Sequence, residues 1–127
     1  MPALSLTIPV DAGTPIELRR RLDAWLARLG ADEDSRADIV LSAWEGCANA
    51  MEHAGSTEPI RVHAFATDGG VCVRIEDRGR WLDRGDATRT DRGHGLTIIR
   101  RLMSRVEIDR RASGTSLLMC RSLRRAG

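Results

Sequence analysis

The chain has 127 residues, of which 20 are basic and 18 acidic, with 42% hydrophobic and 30% charged residues. This length and composition are typical of a single folded domain with one core, so we expect one domain over residues 1–127. All 20 basic residues are arginine, and the absence of lysine excludes a P-loop, a eukaryotic-type kinase site and Schiff-base chemistry.

The first half of the chain predicts a strand, two helices and a β-hairpin. Apolar and polar residues alternate over residues 4–10, as in a half-buried strand. Apolar residues at helical spacing then predict a helix over 14–30, ending at a glycine, and a second, longer helix over 32–54. Two strands over 58–67 and 71–77, separated by Asp-Gly-Gly, complete the half as a hairpin.

The second half begins with a polar segment, residues 78–92, that shows no periodicity. A loop of this length in a compact domain is usually a functional lid or a disordered segment, and we interpret it as a lid. A short helix over 96–103 and a hairpin of strands over 106–111 and 115–123 follow. This order predicts an α+β fold, a single-domain two-layer sandwich with helices on one face of a mixed, mostly antiparallel sheet.

The composition also limits the partners and the location of the protein. The chain has one Phe, three Trp and no Tyr, and its arginines are spread along the sequence, so we expect no direct nucleic-acid binding. No apolar run approaches the roughly 20 residues that span a bilayer, and the N-terminus lacks the features of a signal peptide. We therefore expect a cytoplasmic protein that does not bind membranes.

Three cysteines, Cys47, Cys72 and Cys120, are far apart in the chain, and none belongs to a CxxC pair. This pattern does not favour a zinc site or a disulfide framework. We expect three reduced thiols in the core.

The segment WEGCANAMEHAG places several polar side chains on one side of the second helix. At about 100° per residue, Glu45, Asn49, Glu52 and His53 fall within roughly one third of its circumference. Such a stripe is most often the solvated face of an amphipathic helix. However, Asn is a poor helix former, and a carboxylate and an amide one turn apart offer oxygen ligands to Mg²⁺ or to its waters. Both interpretations remain open from the pattern alone.

A second polar group stands where a predicted strand runs into the lid, in Ile75-Glu76-Asp77-Arg78-Gly79. The Asp77 carboxylate at this strand end can accept a hydrogen bond from the exocyclic amine of adenine, whereas guanine presents an acceptor there. Gly79 allows the backbone to approach a base closely. An ordinary turn leaving a strand explains the same residues.

Two further short motifs follow. Gly93 and Gly95, in GHGL, precede the short helix, where exposed backbone N–H groups can hold phosphate oxygens. Thr115 follows Gly114 in the closing hairpin, where its hydroxyl can reach a base through water. A hinge with a helix cap, and a turn followed by a strand residue, are the structural alternatives.

The order and spacing of these four segments resemble the GHKL ATPase superfamily, whose ATP-binding domain has the Bergerat fold. E-x₃-N-x₃-H, IEDRG, GHGL and the final GT correspond to its N box, G1 box, G2 box and terminal GT. The resemblance covers nearly the whole chain. The compact length, the short lid and GHGLTIIRRLMSRVEID are most similar to bacterial anti-sigma-factor serine kinases of the RsbW and SpoIIAB type.

The resemblance implies ATP and Mg²⁺ as cofactors and a role for each motif residue. It implies Asn49 as the magnesium ligand, Glu45 as the residue that activates the attacking hydroxyl, and Asp77 as the residue that recognises adenine. The other nucleotide-binding positions that it implies are Gly79, Gly93, Gly95 and Thr115.

The resemblance also implies an ATP-dependent protein-serine/threonine kinase that phosphorylates a STAS-domain anti-anti-sigma protein, sequesters a sigma factor and forms homodimers. Two alternatives remain: a non-catalytic ATP-binding interaction module, and the ATPase domain of a larger phosphatase or sensor regulator. One departure concerns the G1 box, usually D-x-G-x-G, in which Trp81 replaces the second glycine. This replacement puts normal lid closure in question.

Overall fold

The computed structural model describes residues 3–9, 15–53, 58–78 and 94–124, with the side chains of His53 and His94 left out. Within these segments the predicted order of elements is present. The elements are β1 (Ala3–Ile8), α1 (Ile16–Arg28), α2 (Glu33–His53), β2 (Ile60–Thr67), β3 (Gly70–Asp77), α3 (His94–Leu102), β4 (Arg105–Arg111) and β5 (Gly114–Ser122).

The five described strands form one sheet in the order β1-β2-β3-β5-β4. Every strand pair is antiparallel, so the sheet has no parallel component within the described residues. The predicted α+β architecture is confirmed, with an antiparallel sheet in place of a mixed one. Because β5 returns by a hairpin to lie beside β3, β4 becomes an edge strand.

The core lies between the helices and one face of the sheet. Leu6, Val62, Ile75 and Leu117 stand opposite one another in neighbouring strands and form one buried row on this face. Residues one position away along each strand point to the other face, because side chains alternate along a strand. None of the helices in the described segments has the length and apolar character needed to cross a membrane.

The start of helix α2 is held by contacts with Arg121 and Arg124, at and just after the end of β5. The Ser35 backbone N–H donates to Oδ1 of Asp32 at 2.8 Å, an N-cap that lowers the pKa of Asp32, chiefly through the hydrogen bonds from Ser35. The Asp32 N–H donates to the carbonyl oxygen of Arg124 at 2.7 Å. The Arg121 guanidinium adds an ion pair with Asp38 at 2.7 Å. The end of β5 and the residues that follow it therefore anchor the first turns of α2.

The middle of α2 lies very close to the sheet at Gly46. A Cβ atom added to this glycine would lie 2.6 Å from Cδ1 of Ile75 and 3.0 Å from Cδ2 of Leu117. Both of these side chains are buried in the central strands. A glycine inside a helix costs about 1 kcal/mol relative to alanine, and here the close helix–sheet contact accounts for it.

The prediction of three reduced thiols is wrong for two of the cysteines. Cys72 of β3 and Cys120 of β5 are directly opposite in register, with their Cα atoms 4.1 Å apart, and form a disulfide. Cys47 is a free thiol, fully buried in α2, and burial raises its pKa to about 12. The pair is 48 residues apart in sequence, so only the strand register brings it together.

We predict that Gly46→Ala destabilises the fold despite the better helix propensity of alanine. Overpacking a filled core costs about 1–3 kcal/mol, while the helix regains about 1 kcal/mol. Urea unfolding should therefore show a net loss of up to about 2 kcal/mol. Ala37→Gly, at an exposed position of the same helix, measures the propensity term alone. A Gly46→Ala protein more stable than wild type by that term would contradict the close contact.

Candidate functional site

The polar stripe on α2 is not uniformly exposed. Asn49 is buried, with 6% of its surface accessible, while Glu45 is partly exposed and Glu52 is exposed. A solvated helix face would leave an asparagine accessible, so that interpretation does not hold for Asn49. Burial of an amide side chain is costly unless its polar atoms find partners, which points to a role beyond solubility.

The start of α3 lies directly over the side chains of Asn49 and Glu45. A Cβ added to Gly95 would lie 3.0 Å from Nδ2 of Asn49 and 3.1 Å from Oε1 of Glu45. Ile99, one turn further along α3, is fully buried and fixes the helix in the core. The backbone N–H groups of the first turn of α3 therefore lie beside a carboxylate and an amide, an arrangement suited to a metal–phosphate group.

A second pair of polar residues lies at the end of the sheet. Asp77, the last residue of β3, is directly opposite Thr115 of β5, and the two are 6% and 3% exposed. The Thr115 Oγ1 atom is buried and has no hydrogen-bond partner in the segments that the structure describes. An unsatisfied buried hydroxyl costs about 1–3 kcal/mol, so this atom fits a site completed by a polar ligand.

Gly114 permits the close approach of the two strands at this point. Its φ is +149°, a value that L-residues rarely adopt, and an added Cβ would collide with the backbone oxygen of Asp77 and lie 3.1 Å from Cα of Arg78. The β4–β5 hairpin can therefore close against the end of β3 only with glycine here. Gly114 and Thr115 thus act together, one by allowing the contact and the other by carrying the hydroxyl.

A polar cavity of about 450 Å³ opens at the same end of the sheet and includes Asp77, Gly114 and Thr115 in its wall. Its other charged lining residues are Arg61, Glu76, Arg78, Asp109 and Arg111. Glu76 precedes Asp77 and points to the opposite face of the sheet. Most of the charge in this cavity therefore lies on the face away from the helices, and we do not assign the cavity to the site formed by α2 and α3.

The structure groups the predicted site residues into two contacts. Glu45, Asn49 and Gly95 come together between α2 and α3, and Asp77 and Thr115 come together across β3 and β5. Gly79, Gly93, Trp81 and nearly all of the predicted lid over 78–92 lie outside the described residues.

Two glycines that support the site were not among the predicted site residues. Gly46 brings α2 onto the sheet beside Glu45, and Gly114 closes the hairpin against Asp77. The signal for Gly46 was available, because an isolated glycine inside a helical pattern usually has a packing reason. For Gly114 the signal was its place in a tight hairpin before Thr115.

No group of three or more His, Cys, Asp or Glu side chains with metal-binding geometry occurs among the described residues. Asn49 and Glu45 together offer only part of a coordination shell. Mg²⁺ typically takes one or two protein ligands and completes its octahedron with waters and substrate phosphates. The donor set of these two residues is therefore compatible with a metal that arrives together with a nucleotide.

Residues 8–121 match the family described as the histidine kinase-like ATPase domain. Among solved structures, the chain is similar to the RsbU and RsbW domains of Rv1364c from Mycobacterium tuberculosis, with 31% identity and a TM-score of 0.81 over 100% of this chain and 34% of that chain. The chain thus spans about one third of the length of that solved chain.

Two further structures share the fold at lower identity. One is the SiaB-SiaC complex from Pseudomonas aeruginosa, with 16% identity and a TM-score of 0.68 over 92% of this chain and 88% of that chain. The other is the histidine kinase domain of a blue-light activated histidine kinase from Erythrobacter litoralis, with 22% identity and a TM-score of 0.59 over 80% and 61% of the two chains.

We predict that Gly114→Ala separates β5 from the end of β3, whereas Gly69→Ala does not. Both glycines have positive φ, but nothing lies within 4 Å of a Cβ at Gly69, at φ +74°. Gly69→Ala should therefore lose only the backbone term, about 1 kcal/mol of the free energy of unfolding. Gly114→Ala should lose more and should shift the amide resonances of Asp77 and Thr115. Equal losses in the two variants, with unchanged resonances, would contradict the contact.

Proposed function

The chain belongs to the family of histidine kinase-like ATPase domains, and on this premise we propose that it is an ATP-dependent protein-serine/threonine kinase and binding switch. It takes ATP with Mg²⁺ and transfers the γ-phosphate to a serine of a STAS-domain anti-anti-sigma protein. In its free form it sequesters a sigma factor. The observation that carries the proposal is the contact of Gly95, at the start of α3, with Glu45 and Asn49.

The adenine end of the proposed site is Asp77 with Thr115. The Asp77 carboxylate accepts a hydrogen bond from the exocyclic amine of adenine, and the buried Thr115 hydroxyl, which has no partner among the described residues, bonds the base directly or through a water. Guanine would place a carbonyl oxygen against the carboxylate. An unpaired buried polar group costs about 1–3 kcal/mol, which corresponds to roughly tenfold or greater selection for adenine.

The phosphate end of the proposed site is the start of α3 with Asn49. Backbone N–H groups at a helix N-terminus hold phosphate oxygens without the help of a lysine. This chain contains no lysine. The Asn49 side-chain oxygen would hold Mg²⁺, and Gly95 leaves room for the metal and the phosphates because it has no Cβ. The metal supplies charge neutralisation on the phosphates when it is bound. Gly79 and Gly93 are proposed to complete the nucleotide loops.

Glu45 is proposed as the catalytic residue. It lies one helical turn before Asn49, and its Oε1 atom faces Gly95 at the start of α3. From that position its carboxylate accepts the proton of the attacking serine hydroxyl while the phosphoryl group is transferred. Glu45 is partly exposed, so a hydroxyl from a partner protein can reach it, unlike the buried Asn49.

The proposed partners rest on the 31% identical RsbW-containing structure, and the SiaB-SiaC complex adds a protein with this fold in an assembly with another protein. We propose a cytoplasmic protein that forms homodimers and binds neither nucleic acid nor membranes. The ATPase domain of a larger regulator is a second candidate, favoured because the similar Mycobacterium chain is about three times as long as this one. A non-catalytic ATP-binding module is a third, favoured by Trp81 in the G1 box.

We expect ATP to bind at least tenfold more tightly than GTP, in the presence of Mg²⁺, by calorimetry. Asp77→Asn should weaken ATP by about tenfold and reduce this preference, because an amide can also donate to guanine. Asn49→Ala should abolish the Mg²⁺-dependent binding of the nucleotide. Glu76→Gln, next to Asp77 but on the other face of the sheet, and Glu52→Gln, exposed on α2, are controls that should bind as wild type. Equal affinity for GTP and ATP in wild type would remove Asp77 from its role.

We expect Glu45→Gln to separate chemistry from binding. Loss of a positioned general base lowers the rate typically by about 10²–10⁴-fold, whereas the affinity for ATP should hardly change. The measurement is transfer of label from γ-labelled ATP to serine on STAS-domain proteins encoded beside the gene, with Glu52→Gln as the control. If wild-type protein binds ATP but phosphorylates none of these proteins, the non-catalytic module becomes the better explanation.

A further inference from the structure

The face of the sheet away from the helices carries the disulfide in a row of aligned side chains. Phe65 of β2, Cys72 of β3, Cys120 of β5 and Arg105 of β4 stand opposite one another in register. Asp77 and Thr115 lie five residues away along the same two strands and point to the opposite face. The disulfide therefore joins the two strands that carry the proposed adenine-binding residues without lying in that site.

Cys72 and Cys120 are more accessible to solvent than Cys47, the third cysteine of the chain. Cys120 is partly exposed and Cys72 is 8% exposed, whereas Cys47 is fully buried. Because Cys47 is fully buried in α2, its thiol is shielded from reagents in solution. Thiol chemistry with a reagent from solution is therefore directed to the pair on the sheet face, in which Cys120 is the more exposed residue.

Two arginines share the sheet face that carries the disulfide. Arg105 is opposite Cys120, and its guanidinium also bonds Glu107 at 2.6 Å. Arg74 is two residues from Cys72 on the same face, and its guanidinium lies 5.7 Å from the centre of the Phe65 ring. Disulfide exchange on this face proceeds through a thiolate, which is both the attacking and the leaving form.

We propose that Cys72 and Cys120 are a thiol–disulfide exchange site that responds to low-molecular-weight thiols and disulfides and thereby closes or opens a covalent ring of residues 72–120. This proposal is independent of the proposed kinase activity. The ring contains most of β3, all of α3 and β4, and most of β5. It therefore encloses the segment of the chain that includes Asp77, Gly95 and Thr115.

Ring closure is an exchange with a disulfide RSSR, such as oxidised glutathione. The thiolate of Cys120 attacks one sulfur of RSSR, forms a mixed disulfide and releases RS⁻. The thiolate of Cys72 then attacks the Cys120 sulfur of the mixed disulfide and releases the second RS⁻. The cysteine pair loses two electrons, RSSR gains them, and the two protons leave with two molecules of RSH. A thiol in excess drives the reverse sequence.

The physical effect of the ring is to stabilise the segment that it encloses, residues 72–120. A disulfide acts mainly by restricting the unfolded chain, and the effect increases with loop length; this loop joins residues 48 positions apart. With the ring open, β3 and β5 keep their backbone ladder, so Asp77 and Thr115 keep their register. The segment enclosed by the ring, residues 72–120, should open locally more often when the disulfide is reduced. The affinity of the folded state for nucleotide should stay nearly unchanged.

The test uses the full chain equilibrated in buffers of oxidised and reduced glutathione, followed by acid quenching, alkylation under denaturing conditions and mass spectrometry. Only Cys47 should be alkylated at the oxidising end, and all three cysteines at the reducing end. The Tm should fall by about 5–15 °C on reduction. Cys47→Ala should show the same dependence of the Tm on glutathione as wild type. The double variant Cys72→Ser with Cys120→Ser should show no such dependence.

Hydrogen exchange locates the effect. Reduction should increase amide exchange in α3 and β4 more than in the first turns of α2, which lie outside the ring. The proposal is overturned if Cys72 and Cys120 remain thiols at every glutathione ratio, if the disulfide is not reduced by excess thiol, or if reduction changes the Tm of the double variant as much as that of wild type.

Discussion

The close contact between α2 and the central strands at Gly46 is the constraint on which the rest of the domain depends. A side chain at this position would meet the ends of the Ile75 and Leu117 side chains, so that either these side chains or the helix would have to shift. Because Glu45 adjoins Gly46 and Asn49 follows one turn later, the contact also fixes the depth at which these two side chains lie. Packing of the core and placement of the candidate site are therefore set by the same glycine.

Two other glycines extend this principle to the remaining parts of the site. Gly95 allows the start of α3 to lie on Glu45 and Asn49, and Gly114 allows the closing hairpin to meet the end of β3. At the hairpin, the Thr115 hydroxyl is buried with no hydrogen-bond partner among the described residues, which is costly unless a ligand pairs with it. The domain thus holds backbone elements at distances that leave room for a polar ligand, in a chain that has no lysine to bind phosphate.

Much of the fold followed from the sequence. Apolar periodicity located every described helix and strand to within a few residues, because a half-buried element must place its apolar residues on one side. The order of the elements gave the α+β architecture. Local pattern does not record which strands become neighbours, so the antiparallel order β1-β2-β3-β5-β4 and the Cys72–Cys120 pairing came from the structure.

The sequence by itself determined the chemistry that this protein can use: arginine without lysine, a carboxylate and an amide one helical turn apart, and an aspartate at a strand end. It did not decide whether Asn49 faces solvent, because an amphipathic stripe looks the same whether water or another helix covers it. Only the tertiary structure decided that, by placing Gly95 of α3 over Asn49. Likewise, the pairing of Asp77 with Thr115 exists only through strand register, since contacts between residues 38 positions apart arise when the sheet assembles.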